Sequence, residues 1–128
     1  MENNPINGEA ILIAEDNYFN YLLLSELMNR IRVQHFWAKN GEEAVDIFEK
    51  NDNIVLILMD INMPVMDGIT ATRKIRETNP IIPIIFQTAY DSEENKKECS
   101  DAGGSDFLTK PLTMSVLSCV LNKYLYKP

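Results

Sequence analysis

At 128 residues, 45% of them apolar, the chain has material for one domain with one core and none for a second. Its formal charge of -7 excludes a surface built to neutralise the phosphates of nucleic acid or an anionic membrane, and favours a cation or a basic partner patch. No apolar run is long enough to cross a bilayer and no basic stretch leads into an apolar one at the amino terminus, so a cytoplasmic chain without membrane contact is expected.

Residues 1–8, with Asn3, Asn4, Pro5, Asn7 and Gly8, cannot repay ordering entropy and read as a flexible tail before a domain over 9–127. The apolar run at 10–14 predicts a strand and ends in the acidic pair Glu15-Asp16. A helix is expected at about 17–29, with Leu23, Leu24, Leu27, Met28 and Ile31 as its apolar face. The strand at 33–38 carries His35, the single histidine, read as a packed or half-exposed side chain. Asn40-Gly41 opens a helix at about 41–50, and a continuous apolar run predicts a strand at 54–59 that delivers Asp60 into a turn. A helix near 68–77 and a strand at 82–87 come next, followed by Thr88. Tyr90 beside it reads equally as a modulator of water access or as a plain loop residue. The helix expected at 91–102 is rich in charge, with Asp91, Glu93, Glu94, Lys96, Lys97 and Glu98, and reads as a solvated face or a partner-binding one. Gly103-Gly104 closes it. A strand at 106–109, Lys110-Pro111 and a helix at 113–126, with Val116, Leu117, Val120, Leu121 and Tyr124 as its apolar face, complete the pattern. These residues show no repeat or linker, and no separate output domain is expected within them.

Strands that are apolar throughout suit a parallel sheet covered on both faces, and alternating elements suit right-handed crossovers. The expected fold is α/β: a five-stranded parallel doubly wound sheet flanked by five helices, a flavodoxin-like (βα)5 arrangement. Ligands of such sheets bind outside the carboxyl ends of the strands, where Glu15, Asp16, Asp60, Thr88 and Lys110 all fall. Cys99 and Cys119 lack the spacing and company of a zinc site and read as reduced structural thiols. Met59, Met63 and Met66 flank a carboxylate with no cysteine or histidine partner, so they read as packing rather than as copper ligands.

Three carboxylates in one crevice repel one another, by roughly 4 kcal/mol per pair at about 4 Å and an effective dielectric near 20. A cation is needed, and Mg²⁺ suits a set of few carboxylates plus a phosphate. Lys110 is a second positive charge that can pair with a phosphoryl oxygen. An ionised Asp60 can then act as nucleophile and become an aspartyl phosphate, with Thr88 and Lys110 meeting the charge of the transferring group.

Glu15-Asp16-Asn17, Met59-Asp60 through Gly68, Thr88-Ala89 and Lys110-Pro111 after Asp106-Phe107-Leu108-Thr109 occur in an order and spacing that resemble the response-regulator receiver domain of two-component signalling, over essentially residues 9–127. The resemblance implies phosphorylation of Asp60 by a histidine kinase or histidine phosphotransfer protein. It implies Mg²⁺ held by Asp16, Asp60, the backbone carbonyl of Asn62, and Glu15 directly or through water. Lys110 would hold Asp60 at rest and the phosphoryl group afterwards, with a cis Lys110-Pro111 bond. Thr88 and Phe107 would be the switch pair, and the fourth helix, fifth strand and fifth helix would form the output face. Many relatives carry tyrosine where Phe107 stands, so the hydroxyl contacts of that tyrosine are lost here, and permanent burial of Phe107 is the rival reading. Asn17, Asn20 and the Met-Pro-Val-Met-Asp-Gly turn look most like receivers of hybrid sensor kinases; a stand-alone regulator is the alternative.

Competing functions are a degenerate receiver that binds without phosphate, an aspartyl-nucleophile phosphatase of the haloacid dehalogenase kind, and a flavodoxin-like cofactor carrier. The phosphatase needs a second aspartate where Asn62 stands, and Glu15-Asp16 would repel the carrier's phosphate.

Overall fold

The computed structural model describes residues 8–89 and 92–125. Most of the expected tail, together with Tyr90 and Asp91, lies outside the described residues. The elements alternate as β1 (Ala10–Ala14), α1 (Tyr18–Arg30), β2 (Gln34–Ala38), α2 (Gly41–Lys50), β3 (Ile54–Asp60), α3 (Gly68–Thr78), β4 (Ile84–Thr88), α4 (Glu93–Ala102), β5 (Asp106–Thr109) and α5 (Met114–Tyr124). All strand pairs are parallel and the sheet order is β2-β1-β3-β4-β5.

Alternate residues of one strand feed two separate cores. Leu12, Ile57, Met59, Ile84 and Phe86 pack with Ala44, Ile69, Ile75 and Cys99 on the α2, α3 and α4 side. Ile11, Ile13, Leu58 and Ile85 pack with Leu24, Leu27, Met28, Leu117 and Leu121 on the α1 and α5 side. Each fully buried Leu, Ile or Phe side chain contributes roughly 1.5–3 kcal/mol, so the central strands anchor the sheet from both faces. This is why they show no polar alternation.

Every helix starts at a side-chain cap. Asn17, Asn40, Asp67, Ser92 and Thr113 each accept a hydrogen bond from the backbone N–H three residues on. Three helices therefore begin just after the positions expected for them, because a cap residue is extended rather than helical. β4 begins at Ile84 because Pro83 has no N–H to give the ladder. β3 runs through Asp60, which pairs with Gln87, so the acidic residue closes the strand instead of entering the turn. Gly103, at φ 108, ends α4 in the left-handed region expected for its glycine pair.

Two core-facing apolar faces are narrower than expected. Leu23 and Val116 are exposed rather than core-facing, because α1 and α5 bury the neighbouring Leu24, Leu27, Leu117 and Val120. Cys119 is also exposed and not a packed thiol; Cys99 is buried, and burial with the nearby Glu98 charge pushes its pKa up to about 11.

Candidate functional site

The carboxyl ends of β1, β3 and β4 set the site. Glu15 directly follows β1 and remains tied to the sheet, its N–H donating to the Ala38 carbonyl at 2.9 Å. Its side chain is fully buried, and Oε2 accepts from the Asn17 N–H at 3.1 Å. Asp16 turns outward and is exposed. Asp60, 5% exposed, faces both from the end of β3. The turn behind Asp60 needs Gly68, since a Cβ there would collide with the Asp60 carbonyl oxygen. Gly68 N–H donates instead to Ile61 O at 2.9 Å.

Lys110 joins these parts. Its N–H donates to Thr88 O at 2.7 Å, which fixes the loop after β5 to the end of β4. The Lys110-Pro111 bond is cis, as expected. The ammonium lies 3.2 Å from Asp60 Oδ2, to which it donates, and 2.7 Å from Glu15 Oε1. The latter is an ion contact outside hydrogen-bonding angles, which leaves buried Glu15 Oε1 without a hydrogen-bond partner. Burial and then the Glu15 charge push the Asp60 pKa up to about 7, against the opposing pull of Lys110. Burial disfavours the Lys110 ammonium, but the close Glu15 and Asp60 carboxylates outweigh it and raise its pKa.

One ligand oxygen from each of Glu15, Asp16 and Asp60 lies within 4.8 Å of the others. Among the described residues no other group of acidic, histidine or cysteine side chains comes so close together. A buried carboxylate oxygen with an ion contact but no hydrogen bond, the buried Asp60 carboxyl group and an exposed third carboxylate make a donor set suited to a hard divalent cation. Asn62 is exposed in the loop beyond Asp60, and Met63 packs into the core. Thr88 is fully buried at the end of β4. Phe107 is neither fully buried nor free: it is half-buried against the α2, α3 and α4 core, with Lys96 Nζ 5.9 Å from its ring centre.

Three features beside the site were not legible. Trp37 Nε1 donates to the Glu15 carbonyl at 2.8 Å. Gln87 is buried, with an unpartnered Nε2, in the wall of a cleft between α1 and Lys110-Pro111. Tyr18, Phe19, Leu22 and Leu23 form an exposed apolar stretch on α1 at the site's edge. The spacing of aromatic and apolar residues from Tyr18 to Leu24, too dense for one buried face, was the available signal for the last.

The topology and acidic edge define a flavodoxin-like α/β domain with a cleft ready for a cation. Residues 11–122 match the sequence profile of the response regulator receiver domain. Two-component response regulator 24 of Arabidopsis thaliana is 40% identical over 112 residues, covering 88% of this chain and 81% of the plant protein. Sensor histidine kinase RcsC of Escherichia coli is 34% identical over 114 residues, covering 89% of this chain but only 12% of the kinase. The receiver domain of sensor histidine kinase PA1611 from Pseudomonas aeruginosa, solved with a magnesium ion in its active site cleft, superposes with a TM-score of 0.86 at 31% identity, covering 94% of this chain and all of that one. The receiver domain of Ssk1, solved with the histidine phosphotransfer protein Ypd1 of Saccharomyces cerevisiae, superposes at 0.82 with 30% identity, covering 91% of this chain and 88% of that one. The chain belongs to the response regulator receiver domain family of two-component signalling.

Proposed function

We propose that this receiver domain takes a phosphoryl group from a phosphohistidine onto Asp60 in a Mg²⁺-dependent reaction and changes its partner-binding surface as a result. The observation that carries this reading is Lys110 bridging buried Glu15 and Asp60, with Asp16 beside them at the open end of the sheet. Glu15, Asp16 and Asp60 would hold the ion, with the Asn62 backbone carbonyl as a further ligand. When bound, Mg²⁺ neutralises charge on the phosphoryl oxygens. An Asp60 carboxylate oxygen attacks phosphorus, the P–N bond of the donor breaks, and its electron pair leaves with the imidazole. Lys110 moves from the Asp60 carboxylate to a phosphoryl oxygen, and Thr88 turns its hydroxyl toward the same group. The vacated space beside Thr88 favours an inward Phe107. Phosphate thus biases α4, β5 and α5, the proposed output face, through its differential interaction with two states.

Donor proteins are a histidine kinase or a histidine phosphotransfer protein. Their approach is served by the apolar α1 edge, which flanks the cleft leading to Lys110. The chain acts as a phosphorylated signalling module rather than a turnover enzyme, and slow hydrolysis of the acyl phosphate resets it. No helix among the described residues is long and apolar enough to cross a membrane. A cytoplasmic module of a hybrid sensor kinase is the preferred setting. Intact-mass measurement after incubation with acetyl phosphate tests the reading: a single phosphoryl adduct that needs Mg²⁺ and is absent in Asp60→Ala supports it. No adduct on the parent chain under any condition sinks it in favour of a domain that works by binding alone.

A further inference from the structure

Two adjacent acids leave β1 for opposite environments, Glu15 into the interior and Asp16 into the open cleft. The peptide that joins them must therefore keep one orientation for both side chains to reach a common ion. The last registered pair of β1 and β2 is Ala14 with Ala38, and Asn40 already caps α2. Glu15 N–H still donates to Ala38 O, but its carbonyl lies past the end of the ladder. There the Trp37 indole N–H donates to it at 2.8 Å.

The indole is itself fixed. Its face stacks on Tyr21 with ring centroids 4.1 Å apart and planes 6° apart. The Tyr21 hydroxyl is 3.1 Å from His35 Nε2, which ties α1 to β2 on the same side. Lys39 Nζ stands 5.2 Å from the Trp37 ring centre. A stacked phenyl ring would satisfy the packing; only an indole also supplies a donor at this place.

We infer that Trp37 is a positioning residue for the cation site: its N–H locks the Glu15–Asp16 peptide so that both carboxylates converge with Asp60. The inference rests on the Mg²⁺-dependent reading above. Trp37 touches neither the ion nor the phosphoryl group, and acts only through the peptide it holds.

Two variants separate the donor from the ring. Trp37→Phe keeps an aromatic stack without the N–H, and benzothienylalanine at position 37 keeps the bicycle with sulfur in place of N–H. Mg²⁺ affinity is read by isothermal titration calorimetry on the full chain. The Mg²⁺ concentration for half-maximal phosphorylation by acetyl phosphate is read separately. Both variants should bind Mg²⁺ roughly three- to tenfold more weakly, the scale of one net hydrogen bond. The rate at saturating Mg²⁺ should stay within about twofold, because only ion binding has been weakened. A residue that merely packs would lower the thermal midpoint and leave Mg²⁺ affinity unchanged; that result overturns the inference while the proposed function stands. If Trp37→Phe fails to fold, the benzothienyl variant decides by the same criterion. A parent chain that binds no Mg²⁺ overturns both readings.

Discussion

α1 and α4 pack on opposite faces of the sheet and are held in opposite ways. α1 is pinned along its length, by Leu24, Leu27 and Met28 in one core and by the Tyr21–Trp37 stack at its start. α4 buries only Cys99 and Ala102, both near its carboxyl end. That end is further clamped, since Arg76 Nε donates to Gly103 O at 2.8 Å while its other nitrogens reach Asn79 O and Ser105 Oγ. The amino-terminal half of α4 has no fully buried side chain, and its Lys96 lies over Phe107. Their outward surfaces differ as much: apolar and aromatic on α1, charged on α4. A helix held by many core contacts is a platform, whereas one held at a single end can shift at small cost. Under the proposed function, α1 would dock the phosphoryl donor and α4 would carry the output.

The largest effect is expected at the charge cluster of Lys110, Glu15 and Asp60. Lys110→Met should cost about 4 kcal/mol at pH 8 in urea unfolding, because it leaves Glu15 and Asp60 buried without their cation. The loss should shrink at pH 5, where Asp60 takes up a proton. Asp60→Asn should act in the other direction. With its pKa raised from 3.8 to about 7 by burial and by Glu15, native Asp60 keeps its proton where the unfolded chain has lost it. Stability therefore falls as pH rises through that window, and the penalty is complete above it. Asp60→Asn should raise stability at pH 8 without divalent ions by up to roughly 4 kcal/mol, a gain that vanishes near about pH 4.

On the platform itself, Met28→Ala removes a fully buried side chain and should cost about 3 kcal/mol. Its exposed neighbours should behave oppositely. Phe19→Ala and Leu23→Ala are expected to change stability by less than about 0.5 kcal/mol, yet to slow transfer from a phosphorylated histidine protein without slowing acetyl phosphate. Equal slowing with both donors would remove α1 from docking.

Much of this was readable from the chain because the decisive signals are local. Apolar runs that end in Glu15-Asp16, Asp60 and Lys110 identify both the strands and the edge at which they converge. Positions one residue off, such as the starts of α1 and α5, reflect caps whose side chains resemble helix residues in composition but whose backbones are extended. What was hidden depends on contacts between distant residues. The bond from Trp37 to Glu15 requires the β1–β2 register, and the raised Asp60 pKa requires its depth beside Glu15. Leu23 could not be told from Leu24 because a helix with apolar residues on two faces has no single period to read.

Amide hydrogen exchange by mass spectrometry, comparing the acetyl phosphate-treated chain in Mg²⁺ with Asp60→Asn under the same treatment, tests the contrast directly. The phosphorylated chain should show altered exchange across the amino-terminal half of α4 and β5, while α1 keeps the protection it has in Asp60→Asn. Altered exchange in α1 with α4 unchanged, or identical exchange in both proteins despite a full phosphoryl adduct, would contradict the account.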